Sequence, residues 1–581
     1  MKRFLSFIFI FLLILSSVNT ALAYSTENFF NEMSDTVQKM TGPGKAKGAV
    51  LAVVKDGEIR LAGFGYADEG NGIEAAGDRT AFRIGSISKT FAAVAAQILV
   101  QEGRLNMDRN ISEYLEPDFP ALRYPVTMRR LLTHTAGFED MLTGIAVCNV
   151  SDTEPLSESV RKYVPEQVFV PGTVTSYSNY GIALAAYVIQ QIVQQDFSEF
   201  CRANIFIPLH MTRTTFEYMH DIYVSKPYLP GGSETLEPFI NLYPEGSAVS
   251  TAEDMAKYMK WLLDANDTRI ISNEMKKNIF EKHFSMSDDL PGVGLTWNRK
   301  VRNGSLYFDK KGETANFYSR IALYPDSGTG VFLSFNTYLP EHEISAAINA
   351  ATDLLHGTAE KSSYISGGKA ADIRGSYINN CTSFTTYEKI LSYIVPGKII
   401  RITGSPSDGF LINGNAMTHV GNNMYSSTAG TLKFLKNGGN MMIATESAVT
   451  FTRLSPLQHK LIRLIAPVFF IISVLFSFIY FSVNKISLGK NSAVIALCSA
   501  FQLLSFTLIC ILMYKGIAEY SLLKYSLPMK ISGIVILAAS AAGITAAIKE
   551  KSENTLQKII NITWAIVSVC FCIWMSSMNI I

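Results

Sequence analysis

The sequence contains neither a C-x-x-C pair nor a dense run of basic residues. Its seven cysteines show no zinc-site or disulfide-framework spacing, and they are Cys148, Cys201, Cys381, Cys498, Cys510, Cys570 and Cys572. The net charge is only +2 over 581 residues, so the charge pattern gives no reason to expect nucleic acid as a partner. Glu341-His342-Glu343 lacks the spacing of a metal site and is typical of a solvated helix start.

Apolar residues make up 48% of the chain and are concentrated at its two ends. The N-terminus has Met1-Lys2-Arg3, an apolar run from Phe4 to Ser16, and then Ala21-Leu22-Ala23. This pattern predicts a signal peptide over residues 1–23, cleaved before Tyr24. An uncleaved anchor helix is the alternative, and either one exports the domain that follows.

The C-terminal residues 456–581 contain four apolar segments, each long enough to cross a bilayer. They lie at about Leu461–Val483, Ser492–Tyr514, Met529–Ile548 and Ile559–Ile580. Buried helices of a soluble protein are the alternative, but four such segments with short loops favour four transmembrane helices. The loop lysines do not choose an orientation, so we take it from the signal peptide. It places residues 24–460 on the extracytoplasmic side of a multi-pass plasma-membrane protein.

The chain between these ends alternates strand and helix patterns. Hairpins are predicted at Gly48–Asp68 and Phe317–Asn336. Helices are predicted at Asn179–Val193, Thr251–Leu263 and Glu341–Leu355. The patterns in residues 24–358 therefore predict an α+β domain. One antiparallel sheet is assembled from both ends of the domain and is flanked by helices, and an all-helical region is inserted between its strands.

A linker at residues 359–371 separates this domain from a stretch of different character, residues 372–455. Short alternating runs there are separated by Asp408-Gly409, Asn413-Gly414 and Asn437-Gly438. This pattern predicts a small all-β domain, a barrel or a sandwich. Because no pattern in it suggests chemistry, we interpret it as a packing or spacer domain.

The stretch with the most chemical content is Arg83–Thr90, ahead of an apolar helix pattern from Phe91 to Val100. Ser86 and Lys89 at a helix start would lie on one face, about one turn apart. The Ser86 amide would then lie at the positive end of the helix dipole, and a neutral Lys89 could take the serine proton. The same S-x-x-K pattern also fits a capped helix with a surface lysine.

Two later motifs, Tyr177-Ser178-Asn179 and Lys310-Lys311-Gly312, strengthen the catalytic interpretation. In this order, S-x-x-K, Y-x-N and K-x-G resemble the three signatures of the serine β-lactamase and penicillin-binding protein superfamily, and Y-x-N resembles its class C branch. The resemblance covers about Phe29 to Leu355. Its other segments are Phe82–Thr90, Leu131–Gly137, Tyr177–Gly181, Pro208–Met211, Ser250–Ala256 and Gly294–Trp297.

The resemblance implies an acyl-serine mechanism without a metal or another cofactor. Ser86 is the expected nucleophile, and Lys89 and Tyr177 are expected to share the work of the general base. Burial and neighbouring cations would have to lower the pKa values of both groups for this role. Tyr177 is also expected to activate water for deacylation, and His134 is expected to be a buried structural histidine.

The same resemblance implies the substrate-binding residues. Asn179 would bond the substrate amide, and Lys310 would contact a substrate carboxylate at the strand that contains Gly312. The amides of Ser86 and Glu313 would form the oxyanion hole. Glu313 and Asn316 stand where related sequences often have glycine. A carboxylate there would repel an anionic substrate unless it points away, which favours an amide with a cationic or neutral group over a β-lactam.

The function that the resemblance implies is a membrane-anchored serine hydrolase of the D,D-peptidase or D-aminopeptidase type. Its substrate would be a small peptide or amide, either peptidoglycan-derived or a secreted prodrug. Its other partner would be the lipid bilayer, through the four C-terminal helices. The alternatives that stay open are a β-lactamase or esterase of the same family, a β-lactam-binding receptor, and an inactive homologue that binds wall peptide.

Overall fold

The computed structural model of the protein describes residues 25–218, 221–358, 373–405, 409–427, 430–455, 467–468, 470–475, 479, 490–518, 525–549 and 555–580. The predicted signal peptide and the predicted linker 359–371 lie outside these residues. So does most of the first predicted transmembrane segment.

The strands before residue 340 form the first sheet and two short pairs. Their bounds are β1 Gly48–Lys55, β2 Glu58–Asp68, β3 Ile73–Glu74, β4 Phe82–Arg83, β5 Ala146–Val147, β6 Phe239–Ile240, β7 Val249–Ser250, β8 Asn298–Arg302, β9 Ser305–Glu313, β10 Tyr318–Tyr324 and β11 Thr329–Phe335. The later strands are β12 Gly375–Asn379, β13 Ile399–Ser405, β14 Gly409–Ile412, β15 Asn415–Gly421, β16 Met424–Ser427, β17 Gly430–Asn437, β18 Asn440–Thr445 and β19 Thr450–Arg453.

The α-helices in the described residues include long framework helices and short connecting ones. Their bounds are α1 Thr26–Lys39, α2 Lys89–Gln101, α3 Met128–Leu132, α4 Leu156–Lys162, α5 Asn179–Val193, α6 Phe197–Cys201, α7 Ala252–Leu263, α8 Asn273–Phe280, α9 Glu341–His356, α10 Leu391–Ile394, α11 Lys490–Ala518, α12 Ser526–Lys549 and α13 Thr555–Ser577.

The sheet of the first domain joins the two ends of that domain. Within the described residues it has seven antiparallel strands in the order β3-β2-β1-β11-β10-β9-β8. Strand β1 is buried along its whole length because both faces of the sheet are covered. Alternate residues of β1 accordingly belong to two different cores: Ala49 and Leu51 to one, Val50 and Ala52 to the other.

Each face of the sheet is covered by a different set of helices. The first and last helices of the domain, α1 and α9, pack on one face through residues such as Phe29 and Ile348. On the other face, α2, α5 and α7 form a larger core around Phe91, Tyr187 and Trp261. The expected α+β architecture with a helical insertion is therefore confirmed, and both predicted hairpins form.

The second β-structure is a closed barrel of strands β12 to β19 in chain order, as far as the described residues show, with β19 paired to β12. Its centre is filled by apolar side chains, including Tyr377, Phe410 and Phe434. The predicted turns at Asn413-Gly414 and Asn437-Gly438 connect adjacent strands. The chain between β12 and β13 forms a 3-10 turn, Tyr387–Ile390, and α10.

The described C-terminal residues contain three helices, not four, that are long and apolar enough to cross a membrane. The candidate spans are Ala493–Ile517, Ser526–Lys549 and Lys558–Ser577. The fourth expected span, at about Leu461–Val483, falls mostly on residues outside the described ranges. Gln502 on α11 bonds Ser540 on α12 at 2.8 Å and Ser568 on α13 at 3.2 Å, which joins the three helices through buried polar groups.

Candidate active site

Ser86 lies in a tight 3-10 turn, Gly85–Ser88, that runs directly into helix α2. Gly85 has a φ of +50°, and a Cβ added there would lie 2.6 Å from the amide nitrogen of Glu313. A Cβ added to Gly312 would lie 1.9 Å from the carbonyl oxygen of Ile84. Both positions require glycine, because only then can the serine turn and the end of β9 approach this closely. The Glu313 amide is thereby placed beside the serine turn.

Lys89 is completely buried, one helical turn after Ser86. Its Nζ donates to Ser86 Oγ at 2.7 Å, to the carbonyl oxygen of Glu245 at 2.6 Å and to Glu245 Oε2 at 2.8 Å. Burial lowers the pKa of Lys89, but the Glu245 carboxylate and Tyr177 together outweigh burial and raise the pKa above its ordinary value. This corrects the expectation of a lowered pKa, since no acidic partner had been foreseen.

Tyr177 precedes helix α5, and its hydroxyl donates to Ser86 Oγ at 2.8 Å. Its ring packs against the His134 ring with centroids 4.2 Å apart. His134 has a φ of +57°, and its Nδ1 accepts the backbone N–H of Ser178 at 3.2 Å. His134 is therefore the buried structural histidine that was expected, and it helps to place the Tyr177 ring.

Two lysines face the Tyr177 ring. The Nζ atoms of Lys89 and Lys310 lie 5.1 Å and 5.3 Å from its centroid. Burial raises the pKa of Tyr177 more than the Lys89 charge lowers it, so the phenol holds its proton at rest.

Burial and, to a smaller extent, the Lys89 charge hold the pKa of Lys310 well below its ordinary value. Burial and both lysines likewise lower the pKa of His134. The lowered pKa that was expected for Lys89 and Tyr177 is found for neither group; it is found for Lys310, which was expected to supply a positive charge.

Asn179 begins helix α5, and its side chain lines the same cavity as Ser86. Its Oδ1 is buried and has no hydrogen-bond partner within the described part of the chain. A buried amide oxygen without a partner costs stability, and it is satisfied when a ligand donates to it. This placement fits the predicted contact with a substrate amide.

The residues beside Gly312 form a network of ion pairs. Lys311 contacts Glu313 and Glu341, each at 2.6 Å. The Glu313 carboxylate therefore points toward the Lys311 ammonium group and away from Ser86, which is the orientation needed for an anionic substrate not to be repelled. Asn316, the second departure from glycine, donates to Glu237 Oε2 at 3.0 Å. The K-x-G motif itself lies at the end of strand β9, which is paired with β10.

These side chains open into a cavity of about 540 Å³. Ser86, Tyr177, Asn179 and Lys310 lie on its wall. The barrel supplies another part of the wall, through Cys381 and the turn Ser447, Ala448 and Val449. The barrel was interpreted as a packing or spacer domain; it packs against the first domain and also lines the cavity, a role that the interpretation did not include.

Two carboxylates fix the barrel to the active-site side of the first domain. Glu139 of the first domain accepts the backbone N–H of Phe384 at 2.5 Å and that of Thr385 at 2.8 Å. Glu388 of the barrel segment accepts the backbone N–H of Leu142 at 2.7 Å and that of Thr143 at 3.1 Å. Each domain thus supplies a buried carboxylate to the backbone of the other, a reciprocal pair that holds the cavity wall in place.

Sequence reasoning missed Glu245 and the barrel turn. Glu245 lies in a 3-10 turn, Tyr243–Glu245, far along the chain from the three motifs, and no spacing connects it to them. The turn from Ser447 to Val449 approaches the cavity only because a whole barrel docks there. The one available signal was an acidic residue next to glycine just before a helix cap, which is common in surface turns.

Three comparisons relate the chain to known proteins. The family model described as Beta-lactamase matches residues 33–354. Protein flp of Staphylococcus aureus (strain N315) is 27% identical over 319 residues, which are 51% of this chain and 62% of that protein. The chain thus spans about three-fifths of the length of the curated relatives it matches.

Two solved structures share the fold at low identity. A penicillin-binding protein homologue from Pyrococcus abyssi, described as octameric, aligns with 74% of this chain and 100% of its own, at 19% identity and a TM-score of 0.50. SurE with D-Leu aligns with 74% of this chain and 99% of its own, at 15% identity and a TM-score of 0.51. Because the family model covers more than half of the 581 residues, the chain belongs to the Beta-lactamase family of serine hydrolases.

Proposed function

We propose that this protein is a membrane-anchored, extracytoplasmic serine hydrolase that cleaves small peptides or amides of D-amino acids through an acyl-Ser86 intermediate. The observation that carries the proposal is the position of Ser86 Oγ. It lies 2.7 Å from Lys89 Nζ and 2.8 Å from the Tyr177 hydroxyl, on the wall of the enclosed cavity. A hydroxyl between an amine and a phenol is the arrangement of an activated serine nucleophile.

In the proposed reaction, Ser86 Oγ attacks the substrate carbonyl carbon. The amides of Ser86 and Glu313 stabilise the oxyanion, and losing one such donor typically lowers the rate by about 10²–10³-fold. Asn179 positions the substrate through its unpaired Oδ1. The acyl-Ser86 intermediate is then hydrolysed by a water molecule that Tyr177 activates.

The size and charge of the cavity support a small amide substrate. A cavity of about 540 Å³ that is partly walled by the barrel turn suits one or two amino acids better than a cell-wall polymer. Glu237 also lies on its wall, where its two oxygens accept from the Ala315 backbone N–H and from the Asn316 side chain, each at 3.0 Å. A carboxyl group at this place favours a substrate that carries an ammonium group. The support for the D-configuration is the solved neighbour SurE, which was determined with D-Leu.

A fluorescent fluorophosphonate, which reacts with activated serines, tests the nucleophile. Wild-type protein should be labelled, and Ser86→Ala should not. An unlabelled wild type would contradict the hydrolase proposal.

A panel of D- and L-aminoacyl anilides, muropeptides and a chromogenic cephalosporin then identifies the substrate class. Faster turnover of the L-anilides or of the cephalosporin would overturn the D-amide assignment.

The three apolar helices support the proposed membrane anchor, and the predicted signal peptide supports the extracytoplasmic side. A membrane-impermeant fluorophosphonate tests both together. It should label Ser86 in intact cells as fully as in lysed cells, and the labelled protein should sediment with membranes. Labelling only after lysis would place the active site in the cytoplasm.

A further inference from the structure

The active site contains an acidic side chain that none of the three motifs includes. Glu245 is 5% exposed, and it touches Lys89 through both its side chain and its carbonyl oxygen. The other titratable groups near Lys89 are Tyr177, Lys310, His134 and Cys381. Glu245 is the acidic group that makes an ion pair with Lys89, as far as the described residues show.

The contacts of Lys89 define its protonation state at rest. An ammonium group has three hydrogens, and the Lys89 ammonium has three acceptors: Ser86 Oγ and two oxygens of Glu245. A neutral amine would leave a buried carboxylate without a counter-charge, which is strongly unfavourable. Lys89 therefore holds a proton before the reaction and must lose it before it can accept the proton of Ser86.

We propose that Glu245 is a positioning residue that acts through Lys89: it holds the lysine against Ser86 and receives the proton that the lysine must give up. This inference rests on the proposed acyl-serine function. The proton moves 2.8 Å from Lys89 Nζ to Glu245 Oε2, and the neutral amine then takes the Ser86 proton across 2.7 Å. The net result is a protonated Glu245, a recharged Lys89 and a serine oxygen bonded to the substrate carbon.

The remaining steps balance with the same groups. Tyr177, protonated at rest, gives its proton to the leaving amine as the carbon–nitrogen bond breaks. The resulting phenolate faces the positive Lys89 and takes a proton from the water that attacks the acyl group. As Ser86 Oγ leaves, it recovers a proton from Lys89, which recovers its own from Glu245. All four side chains, Ser86, Lys89, Tyr177 and Glu245, return to their starting states.

The test is the pH dependence of fluorophosphonate labelling in Glu245→Gln. Fluoride leaves this probe without needing a proton, so the rate reports removal of the Ser86 proton alone. In wild type, the labelling rate should rise with pH to a plateau on which Lys89 passes its proton to Glu245 across 2.8 Å. In Glu245→Gln, Lys89 itself must become neutral. The pH at which the labelling rate rises should therefore increase by at least about 1 unit. The rate at neutral pH should fall by about 10²-fold or more.

Two variants serve as controls. Glu245→Asp keeps the carboxylate and should restore the wild-type position of the rise, although at a lower rate. Glu253→Gln removes one acidic charge from helix α7 without touching Lys89, and it should label like wild type. A uniform loss of rate in Glu245→Gln, with the rise unmoved, would overturn the relay while leaving the hydrolase proposal standing. Absent labelling of wild type would overturn both.

A thermal unfolding cycle tests the buried pair without any activity. Lys89→Met and Glu245→Leu should each lower the melting temperature, because each leaves an unpaired buried charge. The double variant Lys89→Met/Glu245→Leu should recover most of that loss. A double variant that shows the full sum of the two losses would contradict the ion pair on which the inference rests.

Discussion

At the scale of single residues, the Tyr177 hydroxyl separates two steps of the reaction. Tyr177→Phe keeps the ring that packs on His134 but removes the oxygen 2.8 Å from Ser86 Oγ. With a D-alanyl aryl ester, whose phenolate leaves without a proton, acylation should persist while deacylation slows by about 10²–10⁴-fold. Intact-protein mass spectrometry should then show a lasting acyl adduct. Unchanged turnover without an adduct would exclude Tyr177 as the base for deacylation.

Lys310 makes binding of a substrate carboxylate dependent on pH. It is 4% exposed, and burial together with the Lys89 charge holds its pKa well below the ordinary value. Below that lowered pKa it is charged and attracts a carboxylate; as pH rises through it, the attraction is lost. KM should therefore rise with pH for D-dipeptides with a free carboxylate, and less so for their C-terminal amides. Lys310→Met should abolish the difference, and a difference that persists would argue against this contact.

At the scale of secondary-structure elements, helices α12 and α13 depend on one glycine. A Cβ added to Gly543 would lie 2.1 Å from the Trp564 ring, which is buried. Gly543→Ala should force the indole aside and destabilise the helix pair by about 1–3 kcal/mol. Thermal unfolding in detergent measures this. The matched control is Gly543→Ala made together with Trp564→Ala, which removes the ring, and an equal loss from Gly543→Ala in that background would contradict the specific clash.

Local patterns in the sequence predicted the elements better than their contacts. The helix from Asn179 to Val193 and the hairpin around Lys55-Asp56-Gly57 depend on neighbouring residues, so spacing alone was sufficient. The motifs S-x-x-K, Y-x-N and K-x-G were also identified from the sequence, because they occur in the same order as the signatures of the family that the chain resembles. The partner of Lys89 was not found, because Glu245 is 156 residues away and only the folded chain brings them together. The pKa values of Lys89 and Tyr177 were expected to be lowered, and both are raised. The sequence showed neither the contact between Lys89 and Glu245 nor how deeply Tyr177 is buried.

At the scale of the whole molecule, the barrel is expected to limit which substrates enter the cavity. Glu388→Ala removes the acceptor for the amides of Leu142 and Thr143, each of which would then cost about 1–3 kcal/mol if it stays buried. The barrel segment should loosen, and longer peptides should gain in kcat/KM relative to single D-aminoacyl anilides. Limited proteolysis should also cut between the domains sooner than in wild type.

The matched control for that experiment is Lys436→Ala, which removes an exposed charged side chain from strand β17 of the barrel. It should leave both the proteolysis pattern and the substrate profile close to wild type. Unchanged specificity in Glu388→Ala, despite faster proteolysis, would show that the barrel holds the domain in place but does not select substrates.

The segment between β12 and β13 touches the first domain and the C-terminal helices at the same time. Glu388 bonds the backbone beside the cavity, while its neighbours Tyr387 and Tyr393 pack among Met529, Phe571 and Trp574. An enzyme joined to its membrane anchor by a long flexible linker would move through a large volume and meet substrates at many distances from the membrane. The described contacts instead hold the cavity against the three apolar helices. In a membrane, we therefore expect the cavity entrance to stay at one height above the bilayer and to receive substrates that reach that height.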